Sequence, residues 1–128
     1  MTEESNKNRH EFEDLSTQII GAAIAVHREL GLGFLESIYE EAFKIELSGI
    51  GLKYDSQKEI EIYYLGKKVG IHRLDLLVED EIVVELKVVK ELADIHFAQL
   101  RSYLKATDLR TGLLLNFSTP TLGIKRES

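Results

Sequence analysis

The sequence predicts one α/β domain, a mixed central sheet flanked by helices, with its elements in the order ααβββαβ. Two observations carry this prediction. A chain of 128 residues that is 44% hydrophobic is long enough to build one core and too short for two. Its apolar residues have helical spacing in the first part, alternate in the middle, and return to helical spacing before a final apolar run.

Two helices are expected first. The stretch Leu15–Leu30 keeps its apolar residues on one helical stripe and is followed by Gly31, which suits the end of a helix. The same spacing recurs over Leu35–Ser48 and stops at a glycine, either Gly49 or Gly51. The domain therefore opens with a pair of amphipathic helices.

Three antiparallel strands in a meander are expected next. The segment EIEIYYL, which begins at Glu59, alternates between polar and apolar residues, LGKKVG has the composition of a turn, and residues 69–78 form the second strand. The acidic turn Glu79–Glu81 then leads into the third strand, Ile82–Val89.

A helix and a strand complete the domain. Helical spacing predicts a helix within residues 90–108, and TGLLLNF, residues 111–117, predicts a buried strand. Because a helix separates this last strand from the third, we expect the two strands to run parallel, joined by a crossover.

Composition limits the class of protein. Residues 1–14 hold five acidic and two basic residues and are expected to be a polar, disordered N-terminus before a single domain at residues 15–128. The chain has no cysteine, which fits a reducing, cytoplasmic location, and no apolar stretch approaches the ~18 residues of a membrane span. The net charge of −6 argues against nucleic-acid binding over the whole surface but allows a local basic cleft.

The third strand contains two charges in an otherwise apolar run, IVVELKVV. Glu85 and Lys87 are two positions apart and so share one face of the strand. An unpaired charge on a central strand covered on both faces costs several kcal/mol, on the order of 3–5. Either the two residues form an ion pair at the rim of the sheet, or a ligand compensates them.

Asp75 on the second strand favours a ligand. If the two strands pair with their register centred on Asp80, Asp75 stands opposite Glu85, with Cβ atoms about 5 Å apart. Two carboxylates so close repel each other unless a cation lies between them. This geometry requires a three-residue turn at Glu79–Glu81 or a bulge, since a two-residue turn would put Asp75 on the other face.

Oxygen ligands without cysteine or a neighbouring histidine favour Mg²⁺, with Mn²⁺ as a substitute, over zinc. Lys87 beside such an ion would orient or deprotonate a water, or neutralise charge on a phosphate. His27 is expected to be a hydrogen-bonded, partly buried residue, and His72 falls opposite Asp75 if the strand is regular. The residues together suit the hydrolysis of phosphodiester bonds.

Asp75, followed after nine residues by Glu85-Leu86-Lys87, resembles the core motif of the PD-(D/E)XK nuclease superfamily, and the predicted element order resembles its restriction-endonuclease-like core. GFLESIY, with Gly33, Glu36 and Tyr39, resembles the pattern of the GxxExxY protein family. Further similar segments follow in order, and the resemblance covers roughly residues 15–118: RLDLLVEDEIVVELK, QLRSYLKAT and GLLLNF. Leu74 stands where the superfamily motif has proline, a position that supplies no ligand.

The resemblance implies roles for particular residues. Asp75 and Glu85 would be metal ligands, Lys87 the catalytic lysine, and Glu36 a helix-borne acid that assists at the metal. Gln99 and Tyr103 match a QxxxY pattern near the site and the nucleic-acid strand in RecB-like nucleases.

Tyr39 and Arg73 would be further accessory or nucleic-acid-binding residues. From the residues alone, alternatives stay open for Glu36, Tyr39, Gln99 and Tyr103. Glu36 also suits the first turn of a helix because of the helix dipole. Tyr39 and Tyr103 could pack in the core, and Gln99 could be a surface amide.

Local positive charge for nucleic acid could come from Arg73, on the Asp75 face, and from basic residues after the site: Lys87, Lys90, Arg101 and Lys105. These could equally be ordinary solvated charges.

The residues and the resemblance are compatible with two functions. The first is a Mg²⁺-dependent endo- or exonuclease that acts on nucleic acid, with DNA as the favoured partner. The alternative is an inactive nuclease-fold module that binds nucleic acid or a protein partner, with the charged trio retained as a salt-bridged cluster. A homodimer is compatible with either.

Overall fold

The computed structural model describes the backbone of residues 2–128 and the side chains of residues 15–128. The predicted element order is confirmed, and one further strand follows it. The elements are α1 Thr2–Leu30, α2 Glu36–Gly49, β1 Tyr54–Tyr64, β2 Lys67–Val78, β3 Ile82–Lys87, α3 Asp94–Thr107, β4 Thr111–Asn116 and β5 Gly123–Glu127. The expectation of disorder in residues 1–14 lies outside the residues described in full and stays a prediction.

One five-stranded sheet, in the order β1-β2-β3-β4-β5, forms the middle of the molecule. β1, β2 and β3 make the predicted antiparallel meander, and β3 pairs with β4 in parallel, as expected for strands joined through a helix. β5 pairs antiparallel with β4 and was not predicted, because its sequence GIKRE is short, charged and only partly buried.

Helices cover both faces of the sheet, which gives three layers. α1 and α2 pack on one face over the larger apolar cluster, whose members include Tyr39, Phe43, Leu76 and Val84. α3 packs on the other face through a smaller cluster. Among the helices of residues 2–128, none is both long and apolar enough to cross a membrane.

The face alternation of β2 reverses at Asp75. Leu76 packs on the α1–α2 side and Leu77 on the α3 side, yet Leu74 also packs on the α3 side, where a regular strand would not put it. β1 is irregular at the same level, since Gln57 has φ 53° and no Gln57–Asp75 pair stands between the pairs Ser56–Leu76 and Lys58–Leu74. The expectation that Arg73, Asp75 and Leu77 share one face is therefore wrong.

Candidate active site

The connection between β2 and β3 sets the geometry of the site. β2 ends at Val78 and β3 begins at Ile82, so the turn has the three residues that the register argument requires. Glu79 and Asp80 both have positive φ, 53° and 56°. The pairs Leu76–Val84, Leu77–Val83 and Val78–Ile82 centre the register on Asp80, and the next position in this register brings Asp75 opposite Glu85.

The carboxylates of Asp75 and Glu85 cross between the two strands at the point where their ladder ends. The Asp75 backbone N–H donates to Glu85 Oε2 at 2.8 Å, and the Leu86 backbone N–H donates to Asp75 Oδ2 at 2.8 Å. Side-chain oxygens thus replace the carbonyls that would continue the ladder. Because each carboxylate is fixed by the opposite backbone, the pair is held in place without help from solvent.

Burial makes the negative charge of this pair costly. Glu85 is 4% exposed, and desolvation together with the charge of Asp75 raises the pKa of Glu85 to about 8. Burial likewise raises the pKa of Asp75, while the hydrogen bond from Leu86 and the charge of Lys87 act in the opposite direction. The site therefore favours the binding of a proton or another cation at the two carboxyls.

Lys87 is half-buried at the end of β3. Among the cationic side chains, it has the largest effect on the pKa values of Asp75, Glu85 and Glu36. Its charge lowers the pKa values of Asp75, Glu85 and Glu36. One ammonium faces more than one carboxylate, so Lys87 alone does not neutralise the group. A Glu85–Lys87 ion pair was one of the two explanations for the charges in β3. Among the ion pairs within 4.0 Å in residues 15–128, none joins these two side chains.

α2 brings two acids towards the site. Glu36, its first residue, has its pKa raised by burial and next by the charge of Asp75. Glu40 lies one turn further on, is 9% exposed, and has its pKa raised by the same two causes in the same order, apart from a hydrogen bond to Gln57 that lowers it. Sequence reasoning missed Glu40, although its spacing of four from Glu36 puts both on one helix face.

Gln57 of β1 was also missed. Its Nε2 donates to Glu40 Oε1 at 3.1 Å and to Oε2 at 3.2 Å. It lies in the polar segment YDSQK, which precedes the first strand as the sequence predicted it, whereas β1 in fact begins at Tyr54. No signal in the sequence marks Gln57, because its position at the site arises from strand pairing.

α3 contributes Tyr103 from the other face of the sheet. Its ring stacks on His72, with centroids 4.0 Å apart and an interplanar angle of 18°. Burial raises the pKa of Tyr103, and the charges of Glu85 and Asp75 raise it further. Gln99, one turn earlier on α3, is half-buried. His72 is therefore at the edge of the site, although the sequence placed it opposite Asp75.

Two other predicted accessory residues have different surroundings. Tyr39 is fully buried, stacks on Phe117 with ring centroids 4.8 Å apart, and donates its hydroxyl hydrogen to the Gly31 carbonyl at 2.6 Å. This is the core-packing alternative that the sequence left open. Arg73 is exposed and pairs with Glu59 of β1 at 3.1 Å.

The remaining basic residues and histidines are peripheral. Arg101 pairs with Glu127 of β5 at 3.1 Å, while Lys90 and Lys105 are exposed. His27 is half-buried and its Nε2 donates to the Thr119 carbonyl at 2.8 Å, which confirms the hydrogen-bonded role expected for it. His96 Nδ1 accepts the Ala93 N–H at the start of α3.

The donors at the site fit a hard divalent cation. Within residues 15–128, no group of three or more His, Cys, Asp and Glu side chains is arranged to hold a metal ion. Mg²⁺ does not require three, because it commonly takes one or two carboxylates and keeps several waters. Asp75 and Glu85 supply two crossed carboxylates, and burial, which raises the pKa of both, makes their uncompensated negative charge costly.

A model of the PD-(D/E)XK nuclease superfamily matches residues 13–127. The chain therefore belongs to this superfamily. Asp75 and Glu85-Leu86-Lys87, whose spacing resembles the superfamily's sequence motif, lie within the matched residues.

Three solved chains match this one, among them the crystal structure of SSO0001. The two chains are 23% identical, with a TM-score of 0.54 over 72% of this chain and 48% of SSO0001. The chain thus spans about half the length of SSO0001, and the likeness is one of fold. None of the curated proteins compared with the chain matches it.

Proposed function

We propose that the protein is a metal-dependent nuclease that hydrolyses phosphodiester bonds of nucleic acid. The observation that carries the proposal is the pair of carboxylates crossed between β2 and β3 beside Lys87, the half-buried Asp75 and the buried Glu85. The two carboxylates need a cation to balance their charge. That cation and Lys87 would together provide the positive charge that faces a phosphate group in a nuclease-type fold.

Asp75 and Glu85 would hold Mg²⁺, with Mn²⁺ as a substitute, and Glu36 would assist from α2. A bound divalent ion would supply Lewis-acid polarisation of a phosphate oxygen and lower the pKa of bound water. Lys87 would orient the attacking water or stabilise charge on the phosphate. Tyr103 and Gln99 of α3 would contact the nucleic-acid strand.

The partner proposed is nucleic acid, with DNA favoured, and the chain is assigned to the GxxExxY branch because Gly33, Glu36 and Tyr39 stand at that pattern's spacing. A homodimer would fit a domain of this size, and the absence of cysteine fits the cytoplasm. Affinity should be modest, since the basic residues near the site are few, and it should fall as salt rises, since contacts with phosphates release counterions.

The test is cleavage of a panel of single- and double-stranded DNA and RNA with Mg²⁺, with Mn²⁺ and with EDTA. Lys87→Ala is expected to lower the rate by about 10²–10⁴-fold, because a positioned proton-transfer or charge-stabilising group is lost. Lys90→Ala, an exposed lysine three residues on, is the matched control and should cleave like the wild type. Metal-independent cleavage, or equal rates for wild type and Lys87→Ala, would contradict the proposal.

A second candidate is a non-catalytic module that binds nucleic acid or a protein partner. The observation that favours it is that one oxygen of each carboxylate in the crossed pair already accepts a backbone N–H, so the cluster holds together without an ion. Binding of a nucleic acid in EDTA, with no cleavage by wild type on any substrate with either metal, would favour this candidate.

A further inference from the structure

Gln57 of β1 lies beside the proposed metal site and has no role in the chemistry described above. We propose that Gln57 is a positioning residue that ties the Asp75 carboxylate to the buried Glu40 of α2, and so fixes the orientation in which Asp75 meets a divalent cation. The inference rests on the proposed function, because it assigns a supporting contact to the same site.

The backbone at Gln57 is unusual for its residue type. With φ 53° it occupies the left-handed region, which costs a non-glycine residue about 1–2 kcal/mol. The neighbouring pairs Ser56–Leu76 and Lys58–Leu74 are formed, so the interruption at Gln57 and Asp75 is confined to one residue level. Such a strained conformation persists only where surrounding contacts hold it, and here it lies directly across from a proposed metal ligand.

Those contacts join two carboxyls. Nε2 donates to both oxygens of Glu40, at 3.1 and 3.2 Å, and Lys44 Nζ lies 3.8 Å from Glu40 Oε2. An amide nitrogen carries two hydrogens, which leaves one for Asp75, at whose level on the neighbouring strand Gln57 lies. The Gln57 amide accordingly lowers the pKa of the Asp75 carboxyl. Being neutral, the amide links two acids without adding a charge of its own.

Asp75 is therefore held by elements on both sides of its strand. The Leu86 N–H of β3 fixes Oδ2, and Gln57 of β1 acts from the opposite side, itself anchored by Glu40 of α2. Contacts that orient a metal ligand typically change metal affinity by about 10–100-fold when they are removed. Gln57 should thus affect the ion without touching it.

The test measures Mn²⁺ binding from the electron paramagnetic resonance signal of the free ion, with no substrate present. Gln57→Asn keeps the amide and tolerates the left-handed conformation, but its side chain is one methylene shorter and cannot span the gap. Gln57→Gly removes the side chain and relieves the backbone, which keeps the fold safe. Both variants should bind Mn²⁺ about 10-fold more weakly or worse while their unfolding transitions in EDTA stay cooperative. Lys58→Ala, on the next residue, should bind like the wild type.

A double-mutant cycle with Glu40→Ala separates positioning from general loosening. If Glu40 acts through Gln57, the combined variant Glu40→Ala/Gln57→Asn binds Mn²⁺ about as weakly as Gln57→Asn alone. Additive losses would contradict the bridge.

The failures are distinguishable. If wild type binds Mn²⁺ and Gln57→Asn and Gln57→Gly bind it equally well, the positioning role is overturned while the metal centre stands. If wild type binds no Mn²⁺, the metal centre of the proposed function is overturned and the positioning role with it.

Discussion

The Asp75–Glu85 pair controls how the stability of this protein depends on pH. Burial and the neighbouring carboxylate raise the pKa of Glu85 from 4.5 to about 8. Between these pH values the folded protein keeps a proton that the unfolded chain releases, so the free energy of unfolding falls as pH rises. The contribution is complete below pH 4.5 and is lost above about pH 8. Because the two carboxyls titrate together, the proton belongs to the pair.

Glu85→Gln is expected to remove most of this pH dependence, since its amide does not titrate. Denaturant unfolding of wild type and variant across the same pH window, in EDTA, measures the effect. The wild type should lose stability towards alkaline pH more steeply than Glu85→Gln, whereas the exposed-site control Glu91→Gln should follow the wild type. Parallel curves for Glu85→Gln and wild type would contradict the assignment.

Tyr39 illustrates how one side chain can serve the site from within the core. Its hydroxyl donates to the Gly31 carbonyl at 2.6 Å and accepts the Phe34 N–H at 3.3 Å, which closes the loop that leads to Glu36. Tyr39→Phe should lower the free energy of unfolding by about 1–3 kcal/mol, because both backbone groups lose their partner. Nucleic-acid affinity should not change.

The control for Tyr39→Phe is Tyr63→Phe, at a tyrosine that is 58% exposed, where we expect a change within about 0.5 kcal/mol. Denaturant unfolding and a binding titration check the two variants side by side. If Tyr39→Phe instead binds nucleic acid more weakly without a loss of stability, Tyr39 contacts nucleic acid and its role is not structural.

The placement of α3 against the sheet depends on a glycine in β4. A Cβ at Gly112 would lie 2.6 Å from Leu100 Cδ1, and Leu100 is 1% exposed in close packing. Gly112→Ala should therefore destabilise the protein by about 1–3 kcal/mol and displace the helix that carries Tyr103. Adding Leu100→Ala should make the double variant less destabilised than the sum of the two singles.

Gly21 is the matched control for this overpacking. It lies in α1 with nothing within 4 Å of an added Cβ, so Gly21→Ala should stabilise the protein by about 0.5–1 kcal/mol. Denaturant unfolding of the four variants measures all of these changes. Equal effects of alanine at Gly112 and Gly21 would show that the contact with Leu100 is not tight.

Elements whose order depends on local pattern were predictable from the sequence. The apolar stripes of α1 and α2 and the turn at Glu79–Glu81 gave the helices and the register that brings Asp75 opposite Glu85. β5 was missed because its pairing with β4, and not its composition, makes it a strand. The left-handed conformation of Gln57 was beyond prediction, since glutamine has no preference for it and tertiary contacts impose it.

The site as a whole is assembled from three layers, which links metal binding to global stability. β2 and β3 supply the carboxylates, α2 supplies Glu36 and Glu40, and α3 closes the other side with Tyr103. No such assembly exists in the unfolded chain, so an ion bound by the folded protein stabilises it by mass action. Protons compete for the same carboxyls, and the stabilisation should therefore be larger at alkaline pH.

Thermal unfolding with and without Mn²⁺ tests this linkage. At about 100 times the dissociation constant an ion contributes about 2.7 kcal/mol, which should raise the melting temperature by roughly 5–15 °C. Above about pH 8, where both carboxyls are ionised, Asp75→Asn should melt no lower than wild type in EDTA, because a carboxylate repulsion is removed, yet it should no longer respond to the ion. An equal rise in wild type and Asp75→Asn would mean that Mn²⁺ binds at other acidic groups, because Asp75→Asn lacks one of the two carboxylates proposed to hold the ion where β2, β3 and the helices meet.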